Sequence, residues 1–211
     1  MIALAPRGLR RASVSLSILL AAALALASAV VLAGAAPHDS VARPDAKVDG
    51  SIVVFVRHAE KDANGDAQDP GLGEAGRKRA VALARLLGHA GVTHLYASEY
   101  RRAQETLAAL AERTGHKVEI VRASDAARLV DALSSAPSGS VSVVAGHSNT
   151  IPALIEALGG HVGDVVAAAH GPELRESEYD RAFVVALGAA EKVDGRLVRK
   201  ATSTLEMRYG D

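Results

Sequence analysis

The sequence predicts a three-layer α/β sandwich on a mostly parallel sheet, and three observations carry that expectation. Short apolar runs of strand length alternate with helical patterns from about Ser51 onward, the signature of an α/β fold. Two of the runs, Ile52–Val56, which is apolar throughout, and Val141–Ala145, which is apolar but for Ser142, read as buried strands. A length of 211 residues gives room for one substantial core and argues against two ordinary domains.

In chain order, Ile52–Val56 is the first strand, and the helix Glu74–Leu87 follows. The helix shows an apolar stripe of Leu72, Ala75, Ala80, Leu83, Leu86 and Leu87, with Arg77, Lys78, Arg79 and Arg85 mostly off it; Gly88 and Gly91 are its stop signals. Next come strand His94–Ala97, helix Arg101–Arg113, strand Lys117–Val121 and helix Ala126–Leu133, with Asp125 at its capping position. Strand Val141–Ala145 leads into helix Thr150–Leu158, and strands near Ala182–Leu187 and Leu197–Ala201 complete the sheet at an edge. The sequence shows no internal repeat.

The amino terminus reads differently. Arg7, Arg10 and Arg11 precede an Ala/Leu/Val-rich stretch, Ile18 to Val31, and Ala33-Gly34-Ala35 offers the small-x-small pattern of a signal-peptidase site. Residues 1–35 are therefore expected to be an export signal, 36–50 a Pro/Asp/Ser-rich linker, and 51–211 the folded domain. The expected location is periplasmic or extracellular. The apolar run is also long enough to span a bilayer, so tethering through a retained leader is the alternative to cleavage.

Composition excludes several classes. Without the three leader arginines the chain carries 21 basic against 24 acidic side chains, so nucleic acid is not an expected partner. Aromatics are 3% of residues and tryptophan is absent, which disfavours stacking platforms. There is no cysteine, hence no disulfide.

The chemistry gathers at strand ends. Arg57 and His58 follow the first strand, Arg102 lies near the start of the helix after the second, and His147 follows the fourth. The carboxyl edge of an open α/β sheet is where ligands bind. Two guanidiniums and two imidazoles suit a phosphoryl group, whose transfer needs positioning and charge stabilisation more than covalent chemistry. No metal-ligand spacing such as His-Glu-x-x-His is present, so neither metal nor cofactor is expected.

Arg57-His58-Ala59-Glu60-Lys61 resembles the Arg-His-Gly signature of the histidine phosphatase superfamily, the phosphoglycerate-mutase-like proteins, in a branch with alanine third. Leu72-x-x-x-Gly76-x-x-Arg79-Ala80, Ser98-x-x-x-Arg102-x-x-x-Thr106 and Gly146-His147-Ser148 resemble the family's later motifs in the expected order. The resemblance implies a phosphoglycerate-mutase-like fold, with His58 as a nucleophile that becomes phosphohistidine while Arg57, Arg102 and His147 bind the transferring group. It also suggests Asn64 and Ser148 as substrate contacts and Asp125 as proton donor, with Glu60 and Asp69 as rivals. The mutase-type glutamate motif is not evident.

The expected activity is thus a metal-independent phosphomonoester phosphatase acting on a phosphorylated small molecule or a phosphoprotein, phosphohistidine included; a mutase of the same family is the variant. Two readings of other classes stand beside it: an α/β-hydrolase esterase with Ser148 as nucleophile and His170 as base, and a non-catalytic phosphate-binding module. The loops Glu60–Gly73 and Gly159–Tyr179 are expected to carry specificity.

Overall fold

The structure, a computed structural model, describes residues 49–210; the leader and linker expectations fall on residues outside that range, apart from Asp49 and Gly50. Its frame is a six-stranded sheet in the order β10-β7-β1-β4-β2-β3. The strands are β1 (Ser51–Arg57), β2 (His94–Ala97), β3 (Val118–Ile120), β4 (Val141–Gly146), β7 (Arg181–Leu187) and β10 (Ala201–Arg208). β1, β4, β2 and β3 pair in parallel, while β7 runs antiparallel between β1 and β10. Parallel neighbours need crossovers, and α1 (Glu74–Leu87), α2 (Arg101–Thr114) and α3 (Ala126–Ser134) supply them, while α4 (Thr150–Ala157) leads from β4 on toward antiparallel β7.

Both sheet faces are covered, and strand alternation assigns the residues. Val54, Val56, Val143 and Ala145 pack under α1 and α2 with Leu83, Leu87, Leu107 and Leu110. Val53, Phe55, Val144, Phe183 and Val185 pack under α3 and α4 with Leu129, Leu133, Ile151 and Ile155. The three-layer α/β sandwich read from the sequence is the architecture found, and no helix among the described residues is long and apolar enough to cross a membrane.

Several boundaries differ from the sequence expectation. In α1 the buried stripe is Gly76, Ala80, Leu83, Ala84 and Leu87, whereas Ala75 and Leu86 face solvent. Stepping by three and four from Gly76 selects this face, and a Cβ at Gly76 would collide with the Glu60 carbonyl, so glycine is what lets the helix approach the loop after β1. The expected strand Leu197–Ala201 is two elements. Arg196–Val198 is β9, paired with β8 (Glu191–Val193) in a hairpin, and β10 starts at Ala201 with a bulge between Ala201 and Ser203. A second hairpin, β5 (Val166–Ala168) with β6 (Gly171–Glu173), lies in the expected specificity loop.

Behind that loop, fully buried Arg181 anchors the chain. Its guanidinium donates to both Glu206 carboxylate oxygens at 2.7 and 2.8 Å, to Glu178 at 3.1 Å, and to the Gly163 and Asp164 carbonyls at 2.8 and 2.9 Å. A buried charge needs this full set of partners. The result fixes the segment 175–180 against β7 and β10, next to the end of β1.

Candidate active site

Sheet register brings the two histidines together. Arg57 pairs with Gly146 across β1 and β4, and the His58 amide donates to the Gly146 carbonyl at 2.8 Å, so His58 and His147 leave adjacent strands at the same level. Their ring centroids are 5.2 Å apart. Ala97 pairs with Ala145, which sets Ser98 beside His147, and Ser98 Oγ lies 2.8 Å from His147 Nε2. These side chains open into a cleft of about 450 Å³ lined also by Lys61, Tyr100, Arg102, Ser148, Glu173 and Glu176. A larger groove, about 880 Å³, runs along the outer face of α1 and contains none of the strand-end residues.

Local bonding sets the His58 tautomer. Nδ1 lies 2.9 Å from the Ala59 carbonyl oxygen. A carbonyl can only accept, so Nδ1 carries the proton and Nε2 keeps its lone pair. The Ala59 amide donates to Thr106 Oγ1 at 2.9 Å, and that hydroxyl donates to the Arg102 carbonyl at 2.7 Å; one buried threonine thereby links the turn after β1 to the first turn of α2. Burial lowers the His58 pKa to about 3, with His147, Arg102 and Arg57 adding repulsion. His147 falls to about 4 by burial and then by Arg102. Both rings are neutral at pH 7.

The arginines are held from behind. Arg57, 2% exposed, donates through Nη1 to the carbonyls of Arg175 and Glu176 at 3.0 and 2.8 Å and through Nη2 to Glu176 Oε2 at 2.9 Å. Its buried Nε has no hydrogen-bond partner among the described residues. The guanidinium stacks 4.1 Å from the Tyr179 ring centroid. Arg102 stacks 4.4 Å from the Tyr100 centroid and approaches Asp69 at 3.8 Å. Stacking fixes a planar guanidinium without consuming its donors. Arg101 is exposed and points its charge to Glu105 at 3.4 Å.

Other expected residues lie elsewhere. Asp125 does not reach the cleft: it is exposed at the start of α3, where its side chain makes no capping bond. Asn64 is exposed in a turn closed by its own amide donating to Asp62 Oδ1 at 3.0 Å, so it is no contact of this cleft. Glu60 pairs with Arg79 at 2.6 Å; burial is the largest influence and would raise its pKa, but the Arg79 hydrogen bonds, its own backbone amide and the charges of Arg79 and Arg57 together hold it low. That makes Glu60 a structural carboxylate. Asp69 accepts the Arg101 amide at 3.1 Å and stands behind Arg102. Ser148 does line the cleft, yet its hydroxyl makes no bond to a histidine among the described residues, and His170 is exposed on the β5–β6 hairpin. An esterase dyad is not assembled.

Residues 53–125 match the family model described as histidine phosphatase superfamily, branch 1. Over that stretch the chain is similar to this superfamily. Among solved structures, the protein histidine phosphatase SixA bound to tungstate is 15% identical, with a TM-score of 0.50 over 74% of this chain and 96% of that one. A mycobacterial glucosyl-3-phosphoglycerate phosphatase is 17% identical, with a TM-score of 0.48 over 72% and 97%. At such identities the SixA likeness speaks to the fold alone. A comparison with curated proteins gives no match.

Sequence reading missed Tyr100, Tyr179, Glu173 and Glu176. A usable signal existed for the tyrosines: the chain has only four, and Tyr100 directly precedes Arg101 and Arg102. Among the described residues, no group of three or more His, Asp and Glu is arranged to hold a metal ion.

Burial of two neutral imidazoles links stability to pH. Unfolded histidine titrates near 6.5, so between that value and the folded values of about 3 and 4 the unfolded chain binds more protons. This contribution is complete above pH 6.5 and is lost as pH falls toward 4. The Tm advantage of wild type over His58→Asn is expected to shrink between pH 7 and pH 4, read by thermal unfolding at several pH values. A gap that stays constant would contradict a buried neutral His58.

Proposed function

We propose that the protein is an exported phosphomonoester phosphatase acting through a phosphohistidine on His58. The observation carrying the reading is the His58 tautomer, with Nδ1–H spent on the Ala59 carbonyl and Nε2 unprotonated in a cleft with Arg57, Arg102 and His147. Nε2 attacks phosphorus, forming a P–N bond as the ester P–O bond breaks, and the leaving oxygen takes its proton from solvent water. Water then attacks phosphorus, the P–N bond breaks, and inorganic phosphate leaves with His58 restored. Arg102, His147 and the Arg57 guanidinium stabilise the equatorial oxygens, on which negative charge builds. Export rests on the leader pattern of residues 1–35.

A phosphorylated protein histidine is the second reading of the substrate. Asp125 lies outside the cleft and Glu60 is tied to Arg79, which favours a leaving group that departs readily without a strong acid, as an imidazole does better than an alkoxide. Side-chain cations do the charge work in either case, so activity is expected to survive EDTA dialysis. The test is a panel of phosphate esters and a phosphoramidate assayed on dialysed protein. Activity that is lost and then restored by a divalent ion would mean that the four-residue cleft is not the whole catalyst.

A further inference from the structure

We propose that Ser98 is a positioning residue that donates its hydroxyl proton to His147 Nε2, so that Nδ1–H of His147 faces the cleft as a donor to the transferring phosphoryl group. The inference rests on the phosphatase reading and assigns the proton that this second histidine brings to it. Ser98 directly follows β2, and the Ala97–Ala145 register sets it level with His147 at the end of β4. Both residues are buried, and Oγ lies 2.8 Å from Nε2.

The direction of that bond follows from the partners each group has. Ser98 Oγ makes no other hydrogen bond among the described residues. Were Nε2 the donor, the hydroxyl proton would be buried without an acceptor; with the hydroxyl as donor, both groups are satisfied. Burial, with Arg102 beyond it, keeps the ring neutral at pH 7. A neutral imidazole holds one N–H, so the proton sits on Nδ1. Nδ1 has no protein partner among the described residues, yet the buried side-chain atoms left unpaired are Ser51 Oγ, Arg57 Nε and the Tyr209 hydroxyl. Nδ1 therefore reaches the open cleft that His147 lines with His58, Arg57 and Arg102. The Tyr100 ring stands perpendicular to the imidazole, centroids 5.2 Å apart, and with Ser98 fixes the ring plane. A phosphoryl oxygen accepts, so Nδ1–H gains a bond there, whereas the other tautomer would set a lone pair against negative charge. Both histidines thus carry the proton on Nδ1 for opposite ends: His58 spends it on a carbonyl and attacks through Nε2, and His147 anchors Nε2 and donates through Nδ1.

The test uses the full chain carrying isotope-labelled histidine. Nitrogen NMR at pH 7 is expected to show His147 protonated on Nδ1 and bare on Nε2, its signals being those missing from His147→Gln. Inorganic phosphate should move the Nδ1 signal. In S98A the preference for Nδ1–H should be lost, and kcat/KM on p-nitrophenyl phosphate should fall about tenfold, mostly in kcat, because the donor acts on charge that builds in the transition state. S98T keeps the hydroxyl and should restore both tautomer and rate. Four outcomes overturn the assignment: a wild-type His147 protonated on Nε2, phosphate that inhibits hydrolysis without moving Nδ1, an S98A rate equal to wild type, or an S98T with the wild-type tautomer and the S98A rate. Should S98A fail to fold, the wild-type spectrum and its response to phosphate still decide. No hydrolysis of p-nitrophenyl phosphate by wild type would overturn the phosphatase reading itself, while the spectrum scores the tautomer separately.

Discussion

His58→Ala is expected to abolish turnover of any phosphate ester the wild type hydrolyses, lowering kcat/KM by about 10³-fold or more. Alanine leaves Arg57, Arg102 and His147 in place, so phosphate binding should persist while the covalent route closes. The backbone contacts that shape the turn, the His58 amide on the Gly146 carbonyl and the Ala59 amide on Thr106, do not involve the imidazole. The variant should therefore keep its circular dichroism spectrum and a cooperative melt. Rapid quench with labelled substrate adds the decisive readout: acid-labile, base-stable phosphate on the wild type and none on His58→Ala. Turnover by wild type with no label on protein would rule out the phosphohistidine route and leave direct attack by water.

The sheet and its four helices were legible because each left a strong periodic or apolar trace. Ile52–Val56 is uninterrupted and Val141–Ala145 is broken only by Ser142 because both faces of the central strands are covered, and α1 announces itself through spaced apolar residues. β10 did not announce itself. It is an edge strand with Leu205 and most neighbours exposed, and its bulge at Ala201/Ser203 breaks the alternation that would mark a half-buried strand. The β8–β9 hairpin was readable in principle: Asp194 and Gly195 both take positive φ, 47° and 84°, the geometry for which an Asp-Gly pair is suited in a two-residue turn.

The cleft divides the same way. Arg57, His58, Arg102 and His147 stand at the ends of elements the sequence locates, so sequence position alone brings them to one edge. The partners that orient them come from far along the chain. Arg57 meets Glu176 across 119 residues, and nothing local to either residue signals that contact. Asp125 fails for the converse reason: its position after a strand looked right, but the first turn of α3 leaves it in solvent. Position along the chain specifies which edge a residue occupies. It does not specify which way a loop side chain turns.

Arg102→Lys is expected to lower kcat/KM on a phosphate monoester by about 10²-fold, with Arg101→Lys within about twofold of wild type. Arg102 lies against the Tyr100 ring in the cleft, where its planar fork can meet two phosphoryl oxygens; lysine keeps the charge but presents a single ammonium that neither stacks in the same way nor bridges two oxygens. Arg101, one residue earlier on the helix, is exposed and pairs with Glu105, so its replacement removes only a surface ion pair. Ser148→Ala should be mild on the same substrate, since its hydroxyl has no histidine to activate it. A serine esterase predicts the reverse order, with Ser148→Ala inactive on a carboxylic ester and Arg102→Lys nearly silent. Measuring kcat/KM for the three variants on one phosphate ester and one acyl ester separates the readings. Small and equal effects from all three would strip the cleft of a catalytic role and leave a phosphate-binding module, in which the arginines hold an anion that is never cleaved.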